Sequence, residues 1–175
     1  RPEAVKVAVQ HHHAHIVSAM AEHDIDGPVI GIAYDGTGYG TDETLWGGEI
    51  LVATAATFRR AATFRALPLA GGDRAIREPW RLAAALAADT FGGRIPDDVR
   101  SMLAAAAGDR ELADVERLLA RDFPMVRARG VGRYFDAFGA LFLSRPRASF
   151  EGQIALEWNQ IADPRTTREY RFGLA

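Results

Sequence analysis

The hydrophobic period of this chain changes partway along, and that change restricts the architectures open to it. From Val5 to about Leu69 the apolar residues come in short β-type runs, whereas from Glu78 to about Asp163 alanine, leucine and arginine recur at helical spacing. The pattern predicts an α/β fold built as a three-stranded meander plus a helical half. Val5, Val7 and Val9 alternate with more polar neighbours and predict a strand feeding into a histidine-rich helix, which together occupy residues 1–27. Val29 to Tyr34, bounded by Asp26-Gly27-Pro28, reads as a buried strand that ends at Asp35. Thr44–Thr54 and Ala61–Leu69 read as the second and third strands, so the meander spans residues 28–70, and Gly71-Gly72-Asp73 reads as a loop. In the helical region, residues 78–163, helices are expected to start at Glu78-Pro79-Trp80 and Pro96-Asp97-Asp98. Others are expected over Arg110–Arg121, Gly132–Ser144 and Glu151–Ala162. Glu169 to Leu174 reads as one further strand.

Composition removes several function classes. The 175 residues carry 21 basic and 23 acidic side chains, so a net charge of -2 gives no electrostatic case for nucleic acid or a membrane surface. With no cysteine, the chain has no thiolate metal site and no cysteine nucleophile of its own. Any metal here has nitrogen and oxygen ligands. No apolar run approaches the roughly 20 residues that span a bilayer, and a cytoplasmic location is expected.

The chemistry concentrates in Gln10-His11-His12-His13-Ala14-His15 and in Tyr34-Asp35-Gly36-Thr37-Gly38-Tyr39-Gly40. On a helix, residues four apart stand about 5–6 Å apart at Cβ, so His11 and His15 can reach one cation. At 100° per residue these two share a polar face with Ser18 and Glu22, opposite Ile16, Val17, Met20 and Ala21. A solvated polar face is the other reading of that pattern. His13 falls on the apolar side and is expected to be a hydrogen-bonded core histidine. His12 lies between the faces, as a support or substrate contact or simply exposed, and His23 is expected at a solvated helix end. Asp35, at a strand end and followed by glycines, is the natural third ligand, with glycine amides placed to meet an anion. An ordinary glycine-rich hairpin would show the same residues.

Several motifs in order carry a resemblance. Val9 to His15, Asp35-Gly36-Thr37-Gly38-Tyr39-Gly40, Leu45-Trp46-Gly47-Gly48-Glu49, Leu67-Pro68-Leu69 with Gly71-Gly72-Asp73, and Arg77-Glu78-Pro79-Trp80-Arg81 are similar to the HypF carbamoyltransferases of nickel–iron hydrogenase maturation. Gly132-Arg133-Tyr134-Phe135-Asp136-Ala137 and Ser149-Phe150-Glu151-Gly152-Gln153 are similar to that family too. The resemblance implies a partial actin-like ATPase fold, of the sugar-kinase and Hsp70 type, in the domain that is similar to the tRNA threonylcarbamoyladenosine synthase subunit. It implies carbamoyl transfer from carbamoyl-adenylate, made from carbamoyl phosphate and ATP, to the C-terminal cysteine of a HypE-like partner, for synthesis of the cyanide ligand. The fragment alone is expected to be inactive.

By the same resemblance, His11, His15 and Asp35 match ligands of a divalent metal, zinc or iron. Gly36, Thr37, Gly38 and Tyr39 match a loop near the nucleotide phosphates, and Asp136 and Gly152 match positions that touch the ribose. His12, Glu151 and Glu157 are further candidates. The family's last ligand and second phosphate loop are expected beyond Ala175, and Ala128-Arg129-Gly130-Val131 lacks the serines expected before Gly132. A small-molecule O-carbamoyltransferase and a non-catalytic docking module that binds metal and nucleotide are the alternative readings.

Overall fold

The structure is a computed structural model that describes residues 4–121 and 123–170. Its first part is an antiparallel meander of β1 (Val29–Tyr39), β2 (Leu45–Ala53) and β3 (Phe58–Thr63). Two short strands, β4 (Leu67–Pro68) and β5 (Arg127–Ala128), complete a five-stranded sheet in the order β1-β2-β5-β4, with β3 paired to β2. The β2–β5 contact is parallel and brings the chain after the helices back to Leu45.

Helix α1 (His11–Glu22) covers one face of the meander. Ile16 and Met20 from α1 pack with Ala33, Trp46, Leu51 and Ala53 from the sheet. Trp46 and Leu51 have opposite parity along β2 yet share that cluster, and regular alternation of burial along the strand holds only from Glu49 onward. The larger core lies among α3 (Trp80–Thr90), α4 (Asp97–Ala107), α5 (Asp109–Leu119) and α6 (Val131–Phe142). There Trp80, Leu82, Leu103, Leu112 and Val115 are fully buried around an alanine-rich seam. Helix α7 (Gln153–Ile161) packs on α6 where Gly139 leaves room for Ile154.

The start expected for each long helix holds to within a residue or two, since proline, glycine and acidic first turns punctuate locally. Other expectations are corrected. The strand expected at Val5–Val9 is absent: no described strand pairs with it, and the three valines are 89%, 78% and 61% exposed. Alternating valines supply propensity, but a strand also needs a neighbour to receive its hydrogen bonds. Val29–Tyr34 is an edge strand, not a buried one, with Ile30, Ile32 and Tyr34 exposed on one face.

That strand also runs past Asp35 to Tyr39. Its pairing jumps from Tyr34↔Gly48 to Gly38↔Trp46, so β1 carries two more residues than β2 across the jump, a bulge at Asp35–Thr37. The third strand begins at Phe58, earlier than expected, because Thr54 and Thr57 close a tight turn through Thr54 N–H to Thr57 O (2.8 Å) and Thr57 N–H to Thr54 Oγ1 (3.1 Å). The Gly71–Asp73 loop leads into a short helix, α2 (Arg74–Arg77), for which the sequence pattern gives no separate signal. Of the strand expected over 169–174, Glu169 and Tyr170 are irregular and the remainder lies outside the described residues.

Candidate active site

Gln10 sets where α1 begins and what it faces. Its side-chain Oε1 accepts from the His13 N–H (2.8 Å), filling the role of an N-cap, while its Nε2 donates to the Tyr39 carbonyl (3.1 Å). The first turn of the helix is thereby tied to the far end of β1. Gly38 makes the approach possible: a Cβ there would stand 2.6 Å from His12 Cε1 and 2.8 Å from His11 Cδ2.

Three predicted ligands converge. His11 Nε2 lies 3.1 Å from Asp35 Oδ2 and 3.2 Å from His15 Nε2, and one donor atom from each residue falls within 4.8 Å of the others. A single imidazole N–H can serve one of the two groups facing His11, not both. One cation would serve all three. Zinc bonds of about 2.0–2.1 Å arranged tetrahedrally put ligand atoms roughly 3.3 Å apart, close to the two short distances found here. The donor set of two imidazoles and a carboxylate suits zinc and iron(II) alike. Both histidines are exposed and Asp35 is half-buried, so the cluster opens toward solvent with room for a further ligand.

The other histidines separate as their helix angles require. His13 is buried and its Nε2 lies 2.8 Å from the Thr54 carbonyl, so it is a core histidine with a partner. His12 is fully buried rather than exposed, and its Nε2 stands 3.8 Å from Asp35 Oδ2. Burial, reinforced by the neighbouring His11, holds the His12 imidazole below its usual pKa. His23 is exposed at the helix end.

Asp35 also belongs to a cleft of about 370 Å³, lined further by Gly36, Arg133, Asp136, Glu151 and Gly152. Glycines bring its two walls together. A Cβ on Gly130 would lie 2.1 Å from Gly36 O, and one on Gly132 would lie 3.0 Å from Gly36 Cα, so the start of α6 rests directly on the bulge. Arg133 and Asp136, one turn apart on α6, are 3% and 6% exposed, with NH1 and Oδ2 3.2 Å apart. The contact is an ion pair without hydrogen-bond alignment: Arg133 Nε and NH1 and Asp136 Oδ2 have no hydrogen-bond partner among the described residues. Burial pushes the Asp136 carboxyl up to about 6, against the pull of Arg133 and with some help from Glu151. Buried groups of opposite charge that lack hydrogen bonds, at the wall of a cleft, are equipped to meet a polar ligand.

The remaining predicted residues are dispersed. Thr37 lines a second hollow of about 500 Å³ with Arg77, Phe150 and Glu151, and its Oγ1 is buried with no partner among the described residues. Gly152, at φ +79°, caps the start of α7 beside the first cleft. Tyr39 is 87% exposed and contributes its carbonyl to Gln10, not its ring to the cleft. Glu157 is held on α7 by Arg145 (2.7 Å) and Gln153 (2.9 Å), and it lines neither hollow. The amide cradle is also less open than the glycine pattern suggests. The Gly36 N–H donates to Asp35 Oδ1 (2.6 Å) and the Gly40 N–H to the Thr44 carbonyl (3.0 Å). Arg133, part of the Gly132–Ala137 motif, was not among the expected site residues; its signal in the sequence is its place three residues before Asp136 on the same predicted helix.

Residues 31–175 match the family described as "Carbamoyltransferase, Kae1-like Domain, second subdomain". The carbamoyltransferase HypF homolog of Cupriavidus necator is 45% identical over 155 residues, covering 86% of this chain and 38% of that protein. The HypF of Rhizobium leguminosarum bv. viciae is 40% identical, covering 89% of this chain and 20% of that protein. Among solved structures, full-length HypF in its phosphate- and nucleotide-bound form superposes with a TM-score of 0.82 at 39% identity, over 97% of this chain and 26% of that one. HypF from T. kodakarensis gives 0.70 at 34% identity, over 85% and 20%. The α/β fold of the chain is therefore the partial actin-like fold found in those proteins. The chain spans between a fifth and two fifths of the length of the relatives it matches.

Proposed function

The chain belongs to the HypF carbamoyltransferase family, through its Kae1-like domain, and on that premise we propose that it forms part of a site that transfers a carbamoyl group from carbamoyl-adenylate to the C-terminal cysteine of a HypE-like partner. His11, His15 and Asp35 are the metal ligands in this reading. Asp136 and Gly152 hold the ribose and Gly36, beside Arg133, faces the phosphate, while Thr37 reaches the ligand only from the adjoining hollow that shares Glu151. The observation that carries it is the double membership of Asp35, which joins a three-donor cluster to a cleft walled by Arg133 and Asp136, an ion pair whose Nε, NH1 and Oδ2 have no hydrogen-bond partner among the described residues.

A zinc or iron(II) ion held by the three ligands would supply Lewis acidity toward the carbonyl oxygen of the mixed anhydride. The chain's own residues bind and orient. Arg133 has buried N–H groups with no partner among the described residues and lies beside Gly36, where it offsets phosphate charge as the leaving group departs. Asp136, ionised above about pH 6, accepts hydrogen bonds from sugar hydroxyls. The cysteine sulfur bonds to the carbamoyl carbon, the bond from that carbon to the phosphate oxygen breaks, the thiol proton passes to solvent and AMP leaves. The nucleophile comes from the partner, consistent with a chain that contains no cysteine.

The test supplies metal-loaded intact protein with carbamoyl-adenylate and a cysteine-ended acceptor tail and follows carbamoylation by mass spectrometry. Asp35→Ala should lower the rate by about 10²–10³, the range for losing a group that stabilises developing charge. Wild-type turnover in Asp35→Ala, or equal transfer to a tail ending in serine, would overturn the proposal.

A further inference from the structure

We infer that His12 is a positioning residue for Asp35, acting as a hydrogen-bond donor through a tautomer that Gln10 fixes. The inference rests on the metal reading above only for what the Asp35 carboxylate is used for. The Gln10 amide has one workable orientation. Its Oε1 accepts from the His13 N–H at 2.8 Å and its Nε2 faces the Tyr39 carbonyl at 3.1 Å, so a flipped amide would set donor against donor and acceptor against acceptor. The second hydrogen on that Nε2 is then free for His12 Nδ1, 3.2 Å away.

A ring nitrogen that accepts carries no proton, so the single N–H of His12 sits on Nε2. That N–H has no hydrogen-bond partner among the described residues, in a side chain with no solvent exposure. Its nearest carboxylate oxygen is Asp35 Oδ2, at 3.8 Å. A buried donor left unpaired is costly, and a shift of less than about 1 Å completes the bond. The ring has little freedom to turn elsewhere, being packed against Trp46 and pressed by the backbone at Gly38. The other carboxylate oxygen, Oδ1, is already fixed by the Gly36 N–H at 2.6 Å. With that bond closed, His12 would hold Oδ2 while Gly36 holds Oδ1, and Oδ2, 3.1 Å from His11 Nε2, would keep a lone pair for a cation.

Two arms test this in the intact protein. In the metal-free state, long-range ¹⁵N–¹H spectra of labelled histidine should show His12 protonated at Nε2 and bare at Nδ1. Gln10→Glu, which still accepts from His13 but cannot donate to Nδ1, should move the proton to Nδ1. A wild-type His12 protonated at Nδ1 overturns the inference. In the second arm, cobalt(II) is titrated by its visible absorption. His12→Phe, similar in volume but without a donor, should weaken binding roughly 10–100-fold, the range seen when an outer-shell partner of a ligand is removed. His12→Gln, which places an amide N–H near the Nε2 position, should recover most of that loss. Equal cobalt affinity in wild type and His12→Phe, or loss of the Nε2 proton on cobalt loading, overturns it. Wild type that takes up no cobalt overturns the metal reading, and the tautomer spectra then decide this one alone.

Discussion

Arg133 and Asp136 stand one helical turn apart with charged atoms 3.2 Å from each other, both nearly sealed from water, at the wall of a cleft they share with Asp35. The pair is imbalanced, because burial lifts the Asp136 carboxyl from its ordinary 3.8 to about 6 despite the neighbouring guanidinium. A carboxyl whose pKa is higher folded than unfolded binds its proton more tightly in the native state. Its contribution therefore favours folding at low pH and is lost as pH rises from about 4 to about 6. Asp136→Asn cannot ionise. Relative to wild type it should gain roughly 3 kcal/mol over that window, two pKa units at about 1.4 kcal/mol each. Urea unfolding at a series of pH values measures the difference, and parallel curves for the two proteins would contradict it.

The contact between Gly38 and the histidine helix leads to a separate expectation. An added Cβ would meet the rings of His12 and His11 at 2.6 and 2.8 Å, so Gly38→Ala must push α1 off β1 or turn both rings. Overpacking of this kind costs about 1–3 kcal/mol. The displaced rings should also lose zinc affinity by more than the fall in stability accounts for, since ligand geometry is disturbed directly. Calorimetric zinc titration beside thermal unfolding of the metal-free protein checks both parts.

The same residues show what a sequence can and cannot reveal here. That His11 and His15 share a helix face was legible because helix periodicity is a local property, whereas Asp35 meets them from a bulge inside a strand that was expected to end there. The long helices were legible for the same local reason, the starts of α3 and α4 being marked by Pro79 and Pro96. Arg133 was not, since its significance arises only when Gly130 and Gly132 let α6 settle on Gly36, a contact across about a hundred residues. Tyr39 and Glu157 were included by position within or near motifs, and the structure sends one outward and binds the other to Arg145. Val5–Val9 and the Ile30 face misled for one physical reason: an apolar run states a preference for burial but not whether a neighbour is there to provide it.

Gly130 carries the closest approach in the site, with an added Cβ only 2.1 Å from the Gly36 carbonyl oxygen. Backbone cannot rotate aside as a flexible side chain can, so Gly130→Ala should separate α6 from β1 and widen the cleft. The expected loss is about 3 kcal/mol, at the upper end for inserting one carbon into a packed contact. Gly27→Ala, where a Cβ would meet nothing within 4 Å, is the matched control and should be near neutral. Denaturant midpoints for the two variants make the comparison, and equal midpoints would contradict the close contact.

Glu78 explains why Arg77-Glu78-Pro79-Trp80-Arg81 matters although it touches neither the His11–His15–Asp35 cluster nor the first cleft. Its carboxylate is 7% exposed and receives Arg81 Nε at 2.6 Å, Arg74 Nε at 2.9 Å and Arg147 NH1 at 2.7 Å. Arg81 in turn donates to the Ala70 carbonyl at 3.3 Å. One carboxylate thus ties α2, the start of α3 and the segment before α7, and through Arg81 the loop after β4. Burial pushes the Glu78 pKa up, but the hydrogen bonds from Arg81 and Arg74 outweigh it and hold the group below its usual value of 4.5. A depressed carboxyl stabilises the fold above its unfolded pKa and loses that contribution as pH falls through the folded one. Glu78→Ala strands the buried Arg81 and should cost about 3–5 kcal/mol at pH 7. Glu78→Gln keeps the shape, so its deficit should be large at pH 7 and smaller at a pH under 4.5, since a depressed carboxyl loses its contribution as the pH falls from the unfolded value toward the lower folded one. Unfolding measured at both pH values tests the sign; a Glu78→Gln deficit that grows on acidification would show that charge is not what Glu78 contributes.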